Sequence, residues 1–98
     1  MKQKITQLLR NIGLAEETIQ DSHMKTRFQG EEEFKIEVNH ITIFFEGNTT
    51  IEIYDDYIGF RTTEEYKQTN FTIFHFNDVK EMEFEIKGNY HYFNNEVE

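Results

Sequence analysis

The chain has 98 residues, 19 of them acidic against 10 basic for a net charge of −9, and it contains no cysteine, proline or tryptophan. Residues 1–98 are the size of one domain, so a single folding unit is expected, with a core that needs no covalent staple. Disulfides, thiolate zinc sites and cysteine nucleophiles are excluded, and the acidic balance disfavours direct nucleic-acid binding because it repels phosphates.

Near the start, Ile5, Leu8, Leu9 and Ile12 stand at the i, i+3, i+4, i+7 spacing of an apolar helical stripe. Gly13 suits the left-handed position that closes a helix, with Leu14 folding back on the last turn. The apolar residues are spaced and Glu16 and Glu17 follow them, unlike a signal peptide, and no stretch nears the ~20 apolar residues that cross a bilayer. A cytoplasmic protein without a membrane segment is therefore expected. A second helical piece is expected from Ala15 to His23, with Ile19 and Met24 facing the core. Residues 1–27 hold five basic and three acidic side chains, a balance of +2, which leaves −11 on the remainder.

From Phe34 to Phe93, apolar and polar residues alternate in runs joined by Asn, Asp or Gly, the pattern of antiparallel hairpins with one buried and one wet face. A two-residue turn at Asn39-His40 pairs Val38 with Ile41, Ile36 with Ile43 and Phe34 with Phe45, all on one face. Asp55-Asp56 pairs Ile53 with Ile58 and Ile51 with Phe60; Gly88-Asn89 pairs Ile86 with His91 and Phe84 with Phe93. The same turn at Gly47-Asn48 would set Glu52 against Ile43 in the core, so an odd loop or a bulge that returns Phe45 to Ile51 is expected instead. Residues 62–69 read as an exposed connection. Phe71, Ile73, Phe74 and Phe76 make a strand apolar on both faces, predicted to lie centrally or under a helix.

The predicted fold class is α+β, with one or two N-terminal helices packed on a strongly curved antiparallel meander of about six to seven strands, a half-barrel around the helix. The strand count resembles that of the pleckstrin-homology superfold, which places its helix after the strands where this chain places it before; a strand count alone carries no family.

Four histidines, His23, His40, His75 and His91, show no local pairing such as HExxH. His40 reads as a turn residue, His75 and His91 as partly buried sheet residues. There is no phosphate-cradling glycine loop, nucleophile elbow or calcium loop. Glu81, Glu83 and Glu85 alternate along the outward side of a strand, as a solvated face requires. No catalytic residue, metal or cofactor is assigned, and the chain is read as no enzyme.

What stands out is aromatic rings among carboxylates. By these registers Phe44, Glu52, Tyr54, Tyr57, Glu83, Glu85, Tyr90 and Tyr92 all point outward, with Tyr54 beside Tyr57, and Tyr90 and Tyr92 opposite Lys87 and Glu85. Such rings combine contact area with polar handles, as protein-binding surfaces do. The equal alternative is that the helices, or a second copy in a homodimer, cover them. The expected function is that of a small acidic interaction protein presenting this face to a basic protein partner, as an inhibitor or nucleic-acid mimic from a mobile element would. A different class of function is a small-ligand domain with an apolar pocket between helix and sheet.

Overall fold

A computed structural model describes residues 1–18, 24–29, 33–46, 48–64, 67–86 and 88–94; at 24–25, 33–34, 46, 48, 63–64 and 67–70 the backbone alone is described. These residues form one N-terminal helix, α1 (Lys2–Ile12), followed by nine strands: β1 (Glu16–Thr18), β2 (Met24–Gln29), β3 (Glu33–Val38), β4 (Ile41–Glu46), β5 (Asn48–Tyr54), β6 (Tyr57–Glu64), β7 (Lys67–His75), β8 (Glu81–Ile86) and β9 (Asn89–Asn94). One 3-10 turn, Phe76–Asp78, precedes β8. Among the described residues, no helix is long and apolar enough to cross a membrane.

The helix forms as its periodicity requires. Ile5 and Leu9 are fully buried, and Leu8 and Ile12 pack against the same core. Gly13 takes φ 89°, its N–H donates to the Arg10 carbonyl at 3.1 Å, and Leu14 is buried behind it. The next segment departs from expectation: Glu16–Thr18 is a strand paired with β2, not a second helix. The rest of that expected helix, including Ile19 and His23, lies outside the described residues, as does the Met24 side chain.

The single curled meander is replaced by two antiparallel sheets, neither of them closed or curled. One has five strands in the order β1-β2-β5-β6-β7, the other four in the order β4-β3-β8-β9. The chain therefore changes sheets between β2 and β3, between β4 and β5, and between β7 and β8. The clash anticipated at Gly47-Asn48 is resolved in this way: β4 and β5 do not pair with each other, and β5 finds β2 instead, with Ile51 opposite Phe28. Gly47 itself lies outside the described residues.

Two turns keep the expected register. Asn39 and His40 adopt φ 49° and 71°, and Val38, Ile36 and Phe34 pair with Ile41, Ile43 and Phe45. Across Asp55-Asp56, Ile53 pairs with Ile58 and Ile51 with Phe60. The last hairpin is shifted by two residues. Ile86 pairs with Asn89 and Phe84 with His91, so the turn comes at residues 87–88, where Gly88 takes φ 79°. A shift of two preserves the faces, because side chains alternate with period two. Tyr90 and Tyr92 accordingly stay outward, but opposite Glu85 and Glu83; Lys87 lies outside the described residues.

The two sheets meet in one core. Phe45 of β4 stacks on Phe60 of β6 with ring centroids 5.2 Å apart, and Phe60 lies 6.2 Å from Phe84 of β8. Phe28, Ile36, Val38, Ile51, Ile53, Ile58, Val79, Met82 and Ile86 fill the space between them. Ile41, expected in this core, is 65 % exposed, at the start of β4, an edge strand. The Phe34 side chain is not described. The segment expected to be an exposed connection largely pairs, since β6 runs to Glu64 and β7 begins at Lys67, with a register shift at Thr62/Thr63. The strand expected to lie centrally or under a helix is β7, which is not central but lies at an edge.

Candidate functional site

The eight outward residues divide between the two opposite outer faces of the molecule. Glu52, Tyr54 and Tyr57 belong to the five-stranded sheet; Phe44, Glu83, Glu85, Tyr90 and Tyr92 belong to the four-stranded sheet. The faces differ in chemistry.

On the five-stranded sheet, Glu52 is not a solvated carboxylate, as its face alone suggests, but a buried one with 1 % exposure. Arg61 donates from Nε to Oε2 at 3.0 Å and from Nη2 to Oε1 at 3.4 Å, Tyr54 donates its hydroxyl to Oε1 at 2.7 Å, and Arg27 Nε stands 3.8 Å from Oε2. Burial pushes the Glu52 carboxyl upward, but the hydrogen bonds from Arg61 and Tyr54 and the two guanidinium charges outweigh it and hold the group below its ordinary range. Tyr54 is pushed up to about 12, by burial first and then by its bond to Glu52.

Around this pair the side chains interlock. The Arg61 guanidinium lies 4.2 Å over the Phe71 ring. Phe71 can occupy that position because Gly59 has no side chain; a Cβ there would stand 2.7 Å from Phe71 Cε1. Tyr54 and Tyr57 stack 4.2 Å apart, and Tyr57 meets His75 at 5.5 Å. With Arg27 also 3.8 Å from Glu17, two guanidinium groups balance two carboxylates. Glu52 is thus removed from the set of exposed binding residues: its lone pairs are engaged within the fold.

The outer face of the four-stranded sheet is different. Across the strands, Phe44, Lys35, Glu85 and Tyr90 form one row and Thr42, Glu37, Glu83 and Tyr92 the next. Phe44, Tyr90 and Tyr92 are 56, 61 and 54 % exposed, so the helix does not cover them. Among the described residues, the carboxylates of Glu37, Glu81, Glu83 and Glu85 share this face with Lys35, whose Nζ is 3.4 Å from Glu85 Oε2. Tyr92 donates its hydroxyl to Glu81 Oε2 at 3.0 Å. The Tyr90 hydroxyl is held above its ordinary pKa, chiefly by a hydrogen bond to Glu85.

Of the histidines, His40 forms the turn and its Nε2 lies 3.0 Å from Glu81 Oε1. His75 is exposed and not partly buried as expected, because β7 is an edge strand; His91 is half-buried, as expected. One donor atom each from Glu37, His40 and Glu81 lies within 4.8 Å of the others. Comparison with family models, curated proteins and solved structures finds no match. The site must be read from its own chemistry.

Two grooves flank the helix. A groove beside β2 and β5 is lined by residues that include Lys2, Gln3, Thr6, Arg10, Thr26 and Ile53, with polar and apolar surface in equal measure. Another, between α1 and β9, includes Lys4, Leu8, Tyr90, His91 and Phe93. The apolar stripe of α1 is spent on the core, with Ile5 and Leu9 at zero exposure.

Proposed function

We propose that this chain is a small non-catalytic interaction protein whose four-stranded sheet presents its outer face to a basic protein. The observation that carries the reading is the juxtaposition of three exposed rings, Phe44, Tyr90 and Tyr92, with the carboxylates of Glu37, Glu83 and Glu85 and with Lys35 on two strand-to-strand rows, Glu81 lying next to them on β8. Rings supply contact area at low conformational cost, and the carboxylates steer a cationic partner into place. Carboxylates on alternate residues of β8 repeat about every 6.6–6.8 Å, a regular line of negative charge suited to a surface that otherwise holds a phosphate backbone. An inhibitor of a nucleic-acid-binding protein in the cytoplasm, such as a mobile element carries, is the specific form proposed.

Binding is assigned to Phe44, Glu83, Glu85, Tyr90 and Tyr92, while Glu52, Tyr54 and Tyr57 are assigned to the fold. NMR titration with an arginine-rich peptide tests this. Shifts should cluster on β3, β4, β8 and β9 and weaken steeply with added salt. Shifts centred on Leu8 and Phe93 with a salt-insensitive small apolar ligand, and none with the peptide, would instead support a ligand pocket beside the helix.

A further inference from the structure

The hairpin tip between β3 and β4 is bound to the start of β8 by Asn39. Its N–H donates to the Glu81 carbonyl at 3.1 Å, its Oδ1 accepts from the N–H groups of Lys80 at 2.7 Å and Glu81 at 3.2 Å, and its Nδ2 donates to the Asp78 carbonyl at 2.8 Å. His40 is therefore held beside Glu81 by contacts that do not involve its own ring. Glu37, two residues before the turn, points to the same outer face, in register with Glu83.

We propose that Glu37, His40 and Glu81 form a binding site for one divalent transition ion, of the zinc or cobalt class. The three donor atoms lie within 4.8 Å of one another and come from β3, the turn and β8. Zinc–ligand distances of about 2.0–2.1 Å place tetrahedral donors roughly 3.4 Å apart. His40 Nε2 and Glu81 Oε1 are already 3.0 Å apart, so closure falls mainly to the Glu37 side chain. Each carboxylate already has one oxygen oriented by a hydroxyl: Thr42 Oγ1 donates to Glu37 Oε1 at 3.4 Å and Tyr92 to Glu81 Oε2 at 3.0 Å. Hydrogen-bonded carboxylates of this kind are what metal sites use to fix ligand direction.

The donor set selects the ion. An imidazole nitrogen with two carboxylates suits zinc, cobalt or manganese, whereas calcium and magnesium favour oxygen throughout. Two carboxylates neutralise the charge of a divalent ion, and the ion in turn relieves the repulsion between Glu37 and Glu83 facing each other across β3 and β8. The fourth position stays open to water. The site does not depend on whether the acidic face receives a basic protein, because the ion is tested alone.

The experiment is calorimetric titration of the full chain with zinc chloride, with cobalt(II) absorption as a second readout. The expected result is one ion per chain, bound at least tenfold more weakly after His40→Gly and after Glu81→Gln, and unchanged after His75→Ala and His91→Ala. His40→Gly separates ligand loss from misfolding: Asn-Gly is the favoured dipeptide for a turn with both residues at positive φ, so Tm should hold or rise while the affinity falls. Wild-type affinity in the His40→Gly variant, loss of the ion on changing His75 or His91, or no uptake by the wild type at millimolar zinc would each overturn the site.

Discussion

Arg61 donates from Nε to Oε2 of Glu52 across 3.0 Å, and with Tyr54 and Arg27 it encloses a carboxylate that is 1 % exposed on an outer sheet face. Among the described residues, removing the guanidinium leaves a buried charge with the more distant Arg27 and a tyrosine hydroxyl. Arg61→Ala should therefore cost about 3–5 kcal/mol, the order seen when one partner of a buried pair is deleted. Urea denaturation measures it; a loss below about 1 kcal/mol, as for an exposed pair, would show that water reaches Glu52 readily.

The same cluster sets opposite pH limits. Glu52 has its folded pKa lowered, so the stability it contributes is present above its unfolded pKa and is lost as pH falls through the folded value. Tyr54 is raised to about 12, so its contribution is complete below the ordinary tyrosine range near 10 and is lost as pH rises toward 12. Melting curves across pH should show both slopes. Tyr54→Phe should remove most of the alkaline one.

Gly59→Ala should destabilise the protein by about 1–3 kcal/mol, the cost of overpacking, because the added Cβ meets Phe71 Cε1 at 2.7 Å. The half-buried ring can swing away only by leaving Arg61. In a double-mutant cycle with Phe71→Ala, Gly59→Ala should become close to neutral; equal costs in both backgrounds would place the strain elsewhere.

Much of this architecture is legible in alternation alone. The Asn39-His40 and Asp55-Asp56 registers follow from parity, and even the misplaced turn before Asn89 keeps every residue on its proper face, since the error is two residues. The pairing of β2 with β5 and of β3 with β8 is not legible, because local patterns carry no information on which strand meets which across 20 or 40 residues. The misreading of Glu52 has this origin. Its outward direction follows from parity, but Arg27 reaches it only through the β2–β5 pairing. One signal was available: arginine is the cation suited to buried carboxylates, and Arg10, Arg27 and Arg61 all engage one glutamate or another. The metal ligands were hidden similarly, since Glu81 lies far along the chain from His40.

On the acidic face, Glu83→Gln should stabilise the free protein by a few tenths of a kcal/mol, because Glu83 stands opposite Glu37. Glu85→Gln should be nearly neutral, as it also gives up the contact with Lys35 at 3.4 Å. Together they should slow association with an arginine-rich peptide at low salt and leave the difference small at high salt. Stopped-flow binding measures this; identical association rates for wild type and variant at every salt concentration would remove the acidic face as the docking surface.

The position of β3 has a consequence for how the chain acquires its structure. One neighbour, β4, arrives within a few residues, but the other, β8, is some 40 residues downstream. A growing chain can close the β3–β4 hairpin early, yet one edge of that hairpin stays unsatisfied until Glu81–Ile86 has been synthesised. Non-local pairings of this kind slow folding and expose strand edges while it proceeds. Completion of the four-stranded sheet, and with it of the acidic face, is a late event that depends on the C-terminal strands, and a chain stopped before Glu81 would present Ile36 and Val38 beside an open edge prone to aggregation.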